Sequence, residues 1–207
     1  MIINNKPGAA TNIGADYVAH AKADGYTLLT GDTATLTANP ALYSKLNYSA
    51  EKDLMQVGLL ARFPMILVVN SNTPVKNHAE FVAWAKTQKA GVSYATAGAG
   101  SRRAIGIASP KRVKNFETIP TLDEQGLKSF EAYAWQGMVA PAGTPADVIA
   151  KLNKTLVEAL NSTAVKARFQ VLGLELIPST PAQMATCAKS EREKWAVAIR
   201  DSGIKLD

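Results

Sequence analysis

Apolar residues recur at helical spacing in some stretches of this chain and run together in others, and the two patterns take turns. Ile13, Tyr17, Val18 and Ala21 share one face, which predicts a helix over 12–23; Thr11 or Asn12 can cap it, and Asp24-Gly25 ends it. Ile2 to Asn4 reads as a short strand before it, and Tyr26 to Thr30 as a buried strand after it. Asn39-Pro40-Ala41-Leu42-Tyr43 opens a further helix, with proline where an amide donor is not needed. The apolar runs 57–61 and 65–69 flank Arg62-Phe63-Pro64, giving a strand, a bend and a strand. Phe81, Val82, Trp84 and Ala85 are periodic in a helix from Pro74 to Gln88, and Val92 and Tyr94 place a strand that ends at Thr96. Alternating strands and helices are the pattern of an α/β sheet.

Beyond Ser101 the alternation fails. Arg102 to Ser109 reads as a strand with no helix before it, and a parallel return needs about a dozen residues of crossover, so it pairs antiparallel or in another part of the sheet. Ile119 to Gly126 reads as a short capped helix, and Tyr133 to Ala140 as a strand that turns at Pro141 to Pro145. Two amphipathic helices close the chain, joined by a segment at 171–175. Pro145 to Leu160 aligns Val148, Ile149, Leu152, Leu156 and Leu160; Pro181 to Ser202 aligns Met184, Cys187, Ala188, Trp195 and Ile199. Stripes at this spacing are core.

Two polar turns follow strands and are candidate ligand contacts. Thr96-Ala97-Gly98-Ala99-Gly100-Ser101 has almost no side chains, so its amides can approach an anion or carboxylate closely; an ordinary tight turn is the alternative. Gly31-Asp32-Thr33-Ala34-Thr35 offers hydroxyls to a ligand or, equally, caps the next helix, and Asp32 would repel an anion. Arg102 and Arg103 can grip a carboxylate, or lie solvated at a strand start. A nucleotide- or phosphate-binding enzyme built on the 98–100 turn would need a helix directly after it.

Charge and composition narrow the classes. The net charge of +6 comes from 23 dispersed Lys and Arg among 17 acidic residues, without the basic cluster and stacking aromatics of a nucleic-acid surface. Cys187, the single cysteine, excludes an intrachain disulfide and a cysteine metal cluster. His20 and His78 lie far apart, so no metal site is expected, nor any cofactor. No apolar run is long enough to insert in a membrane, and no leader pattern is visible at Met1. No nucleophile with a base and no carboxylate pair stands out, so no catalytic residue is named.

Strings in collinear order carry a resemblance over nearly the whole chain. They are Asn5-Lys6-Pro7-Gly8-Ala9, Asn12-Ile13-Gly14-Ala15, Asp24-Gly25-Tyr26-Thr27-Leu28-Leu29, Asn39-Pro40-Ala41-Leu42-Tyr43, Tyr94 to Ser101, Ile119-Pro120-Thr121, Val139 to Pro145, and the closing Lys194-Trp195 helix. Together they resemble the Bug family, periplasmic substrate-binding receptors of tripartite tricarboxylate transporters. The resemblance implies an α/β fold of the type II periplasmic-binding-protein kind, with two lobes closing on a small carboxylate. A di- or tricarboxylate, an acidic amino acid or an aromatic acid would be the ligand, transporter subunits the partners, and the periplasm the location.

By the same resemblance, Thr96, Gly98, Ala99, Gly100 and Ser101 match a carboxylate clamp, Asp32, Thr33 and Thr35 a cleft loop, and Trp135 an aromatic position on a strand crossing between lobes. Residues 1–65 and 131–207 would form the first lobe, largely retained, and 66–130 the remnant of a much reduced second lobe. The family's signal peptide, first strand and first clamp have no match before Met1. The helix and strands that the family places after the second clamp are also unmatched, since Ser101 runs straight into Arg102. Two expectations follow: weakened ligand affinity, and an exposed sheet edge at Ile2 to Asn4 with marginal stability. An inert remnant, or a module that associates through that edge, is the alternative.

Overall fold

The structure, a computed structural model, describes residues 2–89, 92, 102–114 and 116–206. The chain forms two compact units, Met1–Arg62 with Trp135–Asp207, and Phe63–Ala134. It crosses between them inside two strands, β2 (Leu54–Pro64) and β5 (Tyr133–Pro141).

The larger unit is built on a four-stranded sheet in the order β1 (Leu29–Asp32), β5, β2, β6 (Glu175–Leu176). β1 runs antiparallel to β5, with Leu29 opposite Val139 and Asp32 opposite Gln136. Helices cover this sheet because their stripes need an apolar partner. Ile149, Leu152 and Leu156 of α4 (Ala146–Asn161) pack on Val57 and Ala140. Met184 and Ala188 of α6 (Pro181–Ser202) join Ala15 and Val18 of α1 (Asn12–Ala19) around Leu54, Leu59, Trp135 and Val139. Gly137 lets Met184 pack close: a Cβ at that position would push the end of the Met184 side chain aside. α6 starts on a capping box, Thr180 with Gln183, and ends at Gly203 in the left-handed region.

The smaller unit pairs β3 (Ile66–Asn70) with β4 (Arg102–Ile107), antiparallel and with an irregularity between Leu67 and Val68. α3 (His78–Thr87) lays Phe81 and Trp84 against Val69, Val75 and Ile105. Ala108, Leu122 and Ala132 form a second small core. Polar side chains fasten this unit as much as apolar ones do. Gln125 accepts from the His78 amide at 2.7 Å and donates to the Ile105 carbonyl at 2.8 Å.

Several sequence expectations are corrected. Ile2 to Asn4 is no strand: the segment pairs with nothing described, and Ile2 is 91% exposed. The strand expected at Tyr26 to Thr30 starts three residues later and runs Leu29–Asp32, paired in register with β5, and Tyr26 is in solvent at 92% exposure. Ile119 to Gly126 keeps its capping box, Thr121 and Glu124 bonding each other's amides at 2.9 and 3.0 Å, yet makes only a turn. Gly126 at φ +95 stops it. The chain closes with a further helix, α5 (Thr163–Val171), between the two amphipathic ones; it is exposed nearly all round, so no stripe announced it. Neither Thr11 nor Asn12 caps α1 through its side chain. Arg103 is not solvated. Its guanidinium donates to the carbonyls of Ser71 (3.4 Å), Thr73 (2.7 Å) and Val75 in the turn after β3. The antiparallel strand at Arg102 is as expected.

Candidate functional site

β1 ends beside the start of the larger unit's share of β5, and there the ladder changes from backbone to side chain. Thr33 has already turned helical (φ −53, ψ −40), so its main chain leaves the sheet. Its hydroxyl takes over, accepting from the Trp135 amide at 2.8 Å and donating to the Trp135 carbonyl at 3.2 Å. The Asp32 carboxylate accepts from the Thr35 amide (2.8 Å) and hydroxyl (2.7 Å), capping the helical stretch Ala34–Ala38 and its continuation α2 (Asn39–Leu42). Of the two readings open for this turn, capping is therefore met by Asp32, and the cap sits at the start of a stretch that begins before Asn39. The first part of that stretch is wound as a π-helix, a form that recurs at functional positions.

Thr35 is consumed on every side. It is 1% exposed. Its hydroxyl donates to Asp32, and its oxygen is in short contact with the Thr11 hydroxyl, which also reaches the Ala10 carbonyl. Its carbonyl accepts from the Tyr48 hydroxyl at 3.0 Å. Tyr48 also reaches the Asn12 side-chain oxygen at 3.0 Å, and Asn39, fully buried, donates to that same oxygen at 2.7 Å and to the Ala10 carbonyl at 3.0 Å. Burial pushes the Tyr48 phenol up to about 12, so it stays protonated and a donor through the neutral range. The sequence reading gives Thr11 and Asn12 only a capping role and Asn39 only a place at a helix start, and it gives Tyr48 none. Their only signal there was polar side chains standing within or beside apolar patterns.

The segment they hold is strained. Ala9, Ala10 and Thr11 all lie in the left-handed region, at φ 44, 48 and 72. Each costs about 1–2 kcal/mol relative to the right-handed form, and only glycine escapes that cost. Ala10→Gly is expected to raise stability by about 1 kcal/mol, read as a higher urea midpoint at unchanged slope.

Trp135 lies in the main core at 3% exposure, and its indole Nε1 has no hydrogen-bond partner among the described residues. Asp32, Thr33, Thr35 and Trp135 are thus brought together in one unit. Thr96, Gly98, Ala99, Gly100 and Ser101 lie outside the described residues. The chain enters β4 at Arg102, so the helix required by a phosphate-binding loop does not follow Ser101. An open groove of about 630 Å³ lies beside α1, lined by Asp16, His20, Lys22 and Asp24 among others; its mixed charges favour no single ligand class. Among the described residues no group of His, Cys, Asp or Glu is arranged to hold a metal ion, and no helix is long and apolar enough to cross a membrane.

The sequence profile of the tripartite tricarboxylate transporter family receptor matches residues 1–104 and 99–204. BugT of Bordetella pertussis is 26% identical, over 100% of this chain and 80% of BugT. That alignment runs over 262 positions against the 207 residues here, a difference of 55 taken up by gaps on this side. The periplasmic binding protein BugD superposes with a TM-score of 0.84 at 25% identity, covering 100% of this chain and 88% of BugD. MatC from Rhodopseudomonas palustris, solved with bound malate, superposes with a TM-score of 0.81 at 25% identity, covering 93% of this chain and 85% of MatC.

Proposed function

Because this chain belongs to the tripartite tricarboxylate transporter receptor family, a family of substrate-binding receptors and not of enzymes, we propose that it binds a small carboxylate outside the cytoplasm for delivery to transporter subunits. The observation that carries this reading is the extent of the family match, which leaves almost none of the chain unaccounted for. The malate held by MatC names a dicarboxylate as the first ligand to try. In this reading the larger unit is the first lobe, and the smaller is a second lobe shortened near residues 99–104, where the two profile matches meet. Thr96, Gly98, Ala99, Gly100 and Ser101 are the carboxylate-binding residues of this reading. Asp32 and Thr33, half-buried, face the ligand, while Thr35 and Trp135 support them from beneath.

A ligand closed between two full lobes is mostly buried, so a shortened lobe leaves its carboxylate competing with water. Calorimetric titration with malate, adipate and citrate is expected to show binding weaker than about 100 μM for the best of them. Micromolar affinity would overturn the shortened-lobe part of the reading, and no binding to any carboxylate at millimolar concentration would overturn the receptor itself. Asp32 sets a sign that can be checked. Asp32→Asn keeps the acceptor for the Thr35 amide and removes a negative charge from the ligand's surroundings. Malate affinity should rise about threefold at low salt, and the gain should shrink as salt is added. Lower affinity in Asp32→Asn would place Asp32 away from the carboxylate.

A further inference from the structure

We propose that Tyr48 and Asn39 are positioning residues that lock the ligand turn 32–35 onto the strained loop 8–12, so that the two segments present one rigid surface; this rests on the carboxylate-receptor reading of that turn. The case starts from what the buried atoms do. A buried hydroxyl or amide without a partner costs about 1–3 kcal/mol, so polar side chains in a core are kept only where their partners are assured. Thr35, Thr37 and Asn39 are each 1% exposed, and Tyr48 is 5% exposed. Thr35 and Thr37 bond within their own turn, to Asp32 and Thr33, but the partners of Asn39 and Tyr48 are distant. Asn39 spans 29 and 27 positions to Ala10 and Asn12, and Tyr48 spans 36 to Asn12 and 13 to Thr35.

The connections also have a direction. Asn39 has two amide protons in a fixed plane. It places one on the Ala10 carbonyl, in the middle of the left-handed run, and one on Asn12, the first residue of α1. Tyr48 shares a single proton between Asn12 and the Thr35 carbonyl, which ties the far side of the same loop to the turn. Thr11 completes the seam against the Thr35 hydroxyl. Three successive non-glycine residues in the left-handed region relax unless something over-determines them. Here the holding groups are Asn39, on Ala10 and Asn12, and Tyr48, on Asn12; Tyr48 also holds the Thr35 carbonyl, and Thr35 is the residue that fixes Asp32. Removing either therefore loosens the 9–12 segment, and the loosening passes through Asn12, Tyr48 and Thr35 to the Asp32 carboxylate.

A merely structural role would lower stability throughout, whereas positioning acts on this seam. The test uses the full chain labelled with ¹⁵N, with amide hydrogen exchange and a malate titration followed by chemical shift. In Tyr48→Phe the ring remains and only the shared proton is lost; Asn39→Ala attacks the opposite end should the first variant fold poorly. Both variants are expected to exchange the Thr35 and Thr11 amides at least tenfold faster than wild type. Val57 and Val139, deep in the sheet, should keep their protection, and malate affinity should fall about tenfold. Unchanged protection at Thr35 in both variants would overturn the proposal, as would unchanged malate affinity in a variant whose seam has loosened. A wild-type chain that takes up no carboxylate, with the seam still loosened by Tyr48→Phe, would instead remove the receptor reading and leave the coupling of the two loops in place.

Discussion

Arg103→Met is expected to unfold the smaller unit well before the larger one, lowering its stability by about 2–4 kcal/mol. The guanidinium donates to the carbonyls of Ser71, Thr73 and Val75, and hydrogen bonds from a charged donor contribute about 1.5–3 kcal/mol each where shielded. Methionine fills much of the same space but donates nothing, so these carbonyls must find water or remain unsatisfied. The turn they belong to leads from β3 into α3, and Val75, fully buried, anchors it to the small core. A unit this size buries too little surface to absorb such a loss. Limited proteolysis should cut first within residues 63–134, and thermal unfolding should split into two steps. Arg103→Lys should recover part of the loss, because it keeps a cation but cannot fork across neighbouring carbonyls. A single transition within a degree or two of wild type would show that the carbonyls are equally well satisfied without Arg103.

Trp135→Ala is expected to cost the larger unit about 3–5 kcal/mol, the usual price of emptying a buried aromatic position. The ring sits among Leu36, Val139, Met184 and their neighbours, and nothing on the surface can follow it inward. Trp135→Phe separates two effects. It gives up part of the ring's volume, but it also removes an indole N–H that has no partner, itself a cost of about 1–3 kcal/mol. The two should offset to within about 1 kcal/mol in urea denaturation. If the orphaned N–H serves a ligand oxygen, Trp135→Phe will weaken malate binding while leaving stability alone. If the residue is core alone, affinity and stability will move together.

Much of the fold could be read in advance where a pattern is short and repeats. The faces of α4 and α6, the pair of strands β2 and β3, and the antiparallel return at Arg102 follow from spacing within a few residues, although the bend expected at Arg62-Phe63-Pro64 falls at Met65, those three residues being the end of β2. Errors arose where the deciding partner is distant or where no stripe exists. The start of β1 depends on a register set across the sheet by β5, and α5 carries no stripe because it has little buried face. Ile2 and Ile3 are apolar yet exposed, because apolar character makes a strand only where a neighbour offers its hydrogen bonds.

The candidate site divides in the same way. That Asp32, Thr33 and Thr35 form a polar turn after a strand was visible in order, and their resemblance to a receptor loop came with neighbouring strings. That Thr33 closes on Trp135 was not visible, for the two stand 102 positions apart.

By itself, the amino-acid sequence determined most of the order of helices and strands, the α/β class and the family, since periodicity, caps and short motifs are properties of neighbours along the chain. Only the tertiary structure decided which polar groups meet: Thr35 beneath Tyr48, Asn39 against Ala10, Arg103 over three carbonyls. The reason is that a donor's need for an acceptor is written in its residue type, while the acceptor's identity depends on how distant segments pack once the core has formed.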